Sequence, residues 1–118
     1  MKSELGSVTD RSGRALVRRI ERPRAFMARA RGLLGRASLN AEEGLWIDRC
    51  SSIHMFGMRF EIDVVFLRHG QVMRLCRGVR PLRMRWCARA DTTLELAAGT
   101  IDRLGLCEQQ VLEFRSAA

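Results

Sequence analysis

No apolar run in this chain approaches the ~20 residues that a membrane-crossing helix needs. The opening residues, MKSELGSVTDRSGR, hold no apolar stretch of the secretory kind, so cytoplasmic residence is the expectation. The four cysteines, Cys50, Cys76, Cys87 and Cys107, form no CxxC pair, which removes the commonest redox and zinc-knuckle spacings. Reduced thiols packed as small hydrophobes are expected instead. There is no phosphate-binding loop and no dinucleotide fingerprint, because the glycines are scattered singly as punctuation. No GxSxG elbow marks a nucleophilic serine. Internal repeats and low-complexity tracts are missing as well. No cofactor is expected. A zinc set built on Cys50 and His54 with Cys76 or Cys87 is set aside, because C-x3-H spacing alone leaves the other ligands to be assumed.

Acidic residues are scarce where basic ones are dense. The formal charge is +8, and the basic residues are twenty arginines and a single lysine. Between Asp63 and Asp91 no carboxylate occurs, yet Arg68, Arg74, Arg77, Arg80, Arg83, Arg85 and Arg89 fall there. Arg22, Arg24, Arg29, Arg31 and Arg36 make a second cluster. One-sided positive charge attracts phosphates or acidic proteins, whereas a mixed basic surface merely solvates the fold.

What is present suits one compact domain. A chain of 118 residues has room for a single core, and 47% of its residues are apolar. Residues 1–13, polar with Gly and Ser, read as a flexible tail before a globular domain over 14–118. RALVRRIER (14–22) reads as a first strand. Pro23 suits the first turn of a helix, whose apolar stripe is Phe26, Ala30, Leu33 and Leu34 and whose end is Gly35. LWIDRC and IHMF read as short strands, with a bend at Gly57. Ile62–Leu67 is nearly continuous in Ile, Val and Phe, as in a strand buried on both faces. His69–Gly70 makes a hairpin turn into QVMRLCR. Residues 78–91 read as an exposed loop or edge, Thr92–Ala97 as a strand, 98–106 as a short helix ending at Gly105, and 110–114 as a last strand. This order predicts an α+β domain, mostly β: a curled sheet or small barrel of short strands, with one helix near the N-terminus packed on it.

Three functional readings follow. The first is a non-enzymatic binding module for a small molecule, peptide or protein, using the 52–58 segment. Its candidate ligand-binding residues are Trp46, Ser52, His54, Met55, Phe56, Met58, Asp63 and Glu95: adaptable methionines, aromatic walls and a few polar groups. The second is binding of a polyanion or nucleic acid through Arg74, Arg77, Arg80, Arg83, Arg85 and Arg89. It is weakened because that stretch carries only Trp86 for base stacking. The third is a hydrolase-like enzyme in which His54 works with Asp63 or Glu95. It requires the three side chains to converge, since His exchanges protons near neutrality only with a partner in reach. The first is preferred. Oligomeric state is open.

The landmarks Arg31-Gly32-Leu33-Leu34-Gly35-Arg36, Gly44-Leu45, Ser52-Ile53-His54-Met55, Ile62-Asp63-Val64-Val65-Phe66-Leu67 and Leu94-Glu95-Leu96 before Gly99 resemble the bacterial and archaeal domain-of-unknown-function family 192. The likeness spans about Arg14 to Phe114 and implies a β-rich domain with one helix packed on it; no biochemical activity comes with it. Many relatives carry Trp-Met-Lys-Asn where this chain has His54-Met55-Phe56-Gly57. Prolines common in the family are replaced by Glu61 and Ala97, and a Gly-Asp turn is replaced by Gln109-Gln110.

Overall fold

A computed structural model describes residues 3–24 and 36–118. The strands among them are β1 (Ser3–Asp10), β2 (Ala15–Pro23), β3 (Glu43–Asp48), β4 (Ser52–His54), β5 (Ile62–Arg68), β6 (Gln71–Val79), β7 (Met84–Trp86), β8 (Thr92–Ala97) and β9 (Leu112–Ser116). One short helix, α1 (Thr100–Leu104), follows β8. Seven strands make a single sheet in the order β6-β5-β8-β3-β2-β1-β9, and β4 pairs with β7 in a separate two-stranded ribbon. Every neighbour in the large sheet is antiparallel except β2 and β3. Parallel neighbours need a long crossover, which residues 24–42 provide.

The sheet curls into a half-barrel whose outer strands meet. Val72 N–H donates to the Gln110 carbonyl, Gln109 N–H to the Val72 carbonyl, and Leu112 N–H to the Gly70 carbonyl, each at 2.8 Å. Gln109 takes φ 77° at this junction, a left-handed conformation that usually falls to glycine. Its place is held by Gln71, whose Nε2 donates to both the carbonyl and Oε1 of Gln109. The junction thus closes on Gln109 and Gln110.

β5 explains why the sheet has two cores. Val65 and Leu67 join Val8, Ile20, Trp46, Leu94, Leu96 and Leu112 inside the curl, with Ile101 of α1 closing it. Ile62, Val64 and Phe66 point the other way and pack with Leu45, Ile47, Cys76 and Val79 beneath Ile53 and Met55 of the ribbon segment. A strand covered on both faces has no reason to alternate apolar with polar, and its sequence does not.

Two expectations need correcting. Residues 1–13 are not simply a tail: β1 lies between β2 and β9, and its Val8 is 1% exposed in the core. At Gly6 the ring of Phe114 and the backbone of Arg115 approach so closely that no Cβ fits. The strand read as the first is therefore the second, and Pro23 is its last residue instead of the start of a helix. The helix expected near the N-terminus falls mostly on residues 25–35, which lie outside the described residues. The helix found among the described residues stands near the other end of the chain, where a short turn ending at Gly105 was read; Gly105, at φ 64°, caps it.

Candidate functional site

β4 and β7 are distant in sequence but paired in register, Ser52 opposite Trp86, Ile53 opposite Arg85 and His54 opposite Met84. Side chains of directly opposed residues share a face, so Ser52, His54, Met84 and Trp86 lie on one side of the ribbon. Ile53 lies on the other, buried against the large sheet together with Met55. Burying two such side chains stabilises the ribbon's seat by about 1.5–3 kcal/mol each. On the opposite, outward face His54, Met84 and Trp86 are exposed.

Two turns extend that face at the end where β4 finishes and β7 begins. Met58 N–H donates to the Met55 carbonyl across Phe56–Gly57, and Arg83 N–H to the Arg80 carbonyl across Pro81–Leu82. Gly57 takes φ 83° without strain, while Leu82 takes φ 73°, which costs a side-chain-bearing residue about 1–2 kcal/mol. Each turn holds an apolar residue out in water. Phe56 is 57% exposed, Leu82 72%, Met84 40% and Trp86 57%. The His54 and Phe56 rings stand 6.0 Å apart at an interplanar angle of 38°. These residues form a connected apolar and aromatic surface that the core does not use.

The surroundings are basic. Arg74 donates to the Trp86 carbonyl and Arg85 to the Met84 carbonyl, so both guanidinium groups are fastened to the ribbon by backbone and not by a carboxylate. Arg59, Arg80 and Arg83 are exposed and make no ion pair among the described residues. Elsewhere Arg22, Arg24, Arg36 and Arg77 do pair, with Asp48, Glu4, Glu43 and Asp102 respectively. The predicted arginine stretch is therefore divided. Arg74, Arg80 and Arg83 attend the ribbon's outward side, Arg85 lies opposite Ile53 on its inner face, Arg77 is neutralised beside α1, and the carbonyl of Arg89 accepts from Arg68 near the β5–β6 hairpin.

The other predicted site residues are not brought together. Trp46 packs inside the curl against Phe114, with ring centroids 6.1 Å apart, on the far side of the sheet from the ribbon. Met55 is fully buried, Met58 is half-buried against the core beneath the ribbon, and Ser52 is half-buried. Asp63 lies opposite Leu96 of β8, whereas Glu95 lies opposite Val64 of β5 and Leu45 of β3, so the two carboxylates point to opposite faces of the sheet. Asp63 is a structural acceptor. Its Oδ1 takes the N–H of Gly78 at 2.9 Å, and its Oδ2 takes those of Gly99 and Ile101 at 3.1 and 2.9 Å, tying β6 and the start of α1 to β5. Glu95 is 5% exposed among apolar neighbours, and burial pushes its carboxyl up to about 8. His54 stands on the outward face of the ribbon, away from both. No group of three His, Cys, Asp or Glu suited to a metal occurs among the described residues, where all four cysteines are free.

Leu82 and Met84 were missed by sequence reasoning, and Trp86 was weighed only as a lone stacking residue. Their signal is the alternation Met84-Arg85-Trp86, too short to separate a strand from a loop until its partner is known.

The family model DUF192, described as an uncharacterized ACR, matches residues 7–114. The chain belongs to this uncharacterised family. Among solved structures it is similar to a protein of unknown function from Novosphingobium aromaticivorans, 26% identical, with a TM-score of 0.79 over 94% of this chain and 84% of that one. It is also similar to a protein from Sinorhizobium meliloti described as a candidate transcription regulator. That chain is 23% identical, with a TM-score of 0.80 over 95% of this chain and 93% of the other, and the likeness concerns the fold alone. No curated protein matches the chain. No helix among the described residues is long and apolar enough to cross a membrane.

Proposed function

We propose that this protein is a binding module whose contact surface is the outward face of the β4–β7 ribbon with its two turns. The observation that carries the reading is the exposure of Phe56, Leu82, Met84 and Trp86 side by side on an element whose other face is securely buried. Exposed apolar residues scattered singly are ordinary, but a contiguous set ringed by charge marks a contact surface. The pairing of β4 with β7 sets part of the 52–58 segment beside part of the arginine stretch, which supports this reading. The third reading loses its basis, because His54, Asp63 and Glu95 do not converge.

A thermal-shift panel of nucleotides, oligonucleotides, acidic peptides and neutral peptides tests the surface, using the wild type and a Phe56→Ser, Trp86→Ser double variant. A compound that stabilises the wild type but not the variant supports it. Compounds that stabilise both equally place binding elsewhere and contradict it.

A further inference from the structure

Resting on that reading of the ribbon, we propose that its ligand is single-stranded nucleic acid. The rings of His54, Phe56 and Trp86 receive bases, and the exposed Arg59, Arg80 and Arg83, together with Arg74 at the Trp86 carbonyl, receive phosphates. Proteins that hold single strands combine aromatic faces, on which bases stack, with a cationic track for the backbone. Both parts occur here within one small surface.

Geometry supplies the first part. Trp86 stands two residues along β7 from Met84, the partner of His54, a displacement of about 6.6 Å along the strand. The rings are thus spread along the ribbon, not stacked upon each other: His54 and Phe56 near one end and Trp86 toward the other. Charge supplies the second part. No Asp or Glu occurs between Asp63 and Asp91, so nothing in β6, β7 or their connection neutralises the face from within.

Competing occupants fit less well. A second copy seated face to face would press arginine against arginine, which charge repulsion disfavours. A small molecule wants a concavity, and concavities among the described residues are lined elsewhere, by sets such as Glu4, Arg22 and Asp48 or Arg68, His69 and Gln109. Duplex DNA hides its base faces and leaves the rings idle. An acidic peptide would use the charge but not the ring faces, and this difference can be tested.

The test is fluorescence anisotropy of labelled oligo-dT and oligo-U, with polyglutamate and a duplex as competitors. Engaging about three phosphates of a single strand predicts binding roughly 20-fold weaker at about 200 mM salt than at about 50 mM. Phe56→Leu and Trp86→Leu keep apolar bulk and remove the ring, and each should weaken binding about tenfold with an unchanged melting temperature. An Arg80→Gln, Arg83→Gln variant should weaken binding and flatten the salt dependence. No binding at low salt overturns the proposal. So does affinity unchanged by both leucine substitutions, or polyglutamate competing as well as oligo-dT, which would assign the face to an acidic protein. If oligonucleotides fail while a panel compound is still lost in the Phe56→Ser, Trp86→Ser variant, the ribbon reading stands and the nucleic-acid assignment falls.

Discussion

The large sheet and the small ribbon invert each other's chemistry. The sheet buries two carboxylates, Asp63 and Glu95, where apolar side chains are the ordinary choice; the ribbon exposes Phe56, Leu82, Met84 and Trp86, where polar ones are. The two departures have different meanings. Asp63 is satisfied by three backbone N–H groups, so its burial serves architecture. The exposed side chains of the ribbon fill no core among the described residues, so their place calls for a contact beyond those residues. A polar group inside can be internally accounted for, and an apolar cluster outside cannot.

Substitution should separate the two regions by stability first. Asp63→Ala leaves three N–H donors without their acceptor, and unfolding in urea should show a loss of about 3–5 kcal/mol. A loss below about 1 kcal/mol would mean that water replaces the carboxylate and that Asp63 is not the knot joining β5, β6 and α1.

Glu95 should give a smaller effect, and one that depends on pH. Its carboxyl is raised in the folded state to about 8 from an ordinary value of 4.5, so between those values the folded protein holds a proton that the unfolded chain has released. The associated stability is complete below pH 4.5 and is lost as pH rises toward 8, by at most about 1.4 kcal/mol per unit. Glu95→Gln removes this slope, so the stability difference between wild type and variant should change steadily across that window. Parallel stability curves would show that Glu95 is ionised and paired in the folded state.

The ribbon should give the smallest change of all in stability. Phe56→Ser with Trp86→Ser is expected to stay within about 0.5 kcal/mol of wild type, because neither side chain is in the core. A larger loss would move these residues from the contact surface into the architecture.

The sequence made the sheet legible where burial is local in the chain. Ile62–Leu67 announces itself by unbroken hydrophobicity, the His69–Gly70 turn by its residues, and α1 by Gly105. β1 was hidden because SELGSVTD offers little apolar pattern: Val8 is its one buried large apolar side chain, and the strand is held by backbone pairing on both edges. The ribbon was hidden for another reason. Three residues of β4 and three of β7 carry no periodicity of their own, and the pairing of Ser52 with Trp86 is a long-range fact of the fold. His54 and Phe56 were therefore found as site residues without the neighbours that complete the surface. Trp46, read as an aromatic wall, and Met55, read as an adaptable methionine, are instead both buried in cores.

Backbone amide shifts recorded by NMR during titration with a short oligo-dT test the central claim most directly. The account predicts perturbations concentrated in residues 52–59 and 80–86, with β1, β2 and β9 unmoved. Saturable binding whose perturbations lie instead along the outer strands of the sheet, or around Arg68, His69 and Gln109, would contradict it.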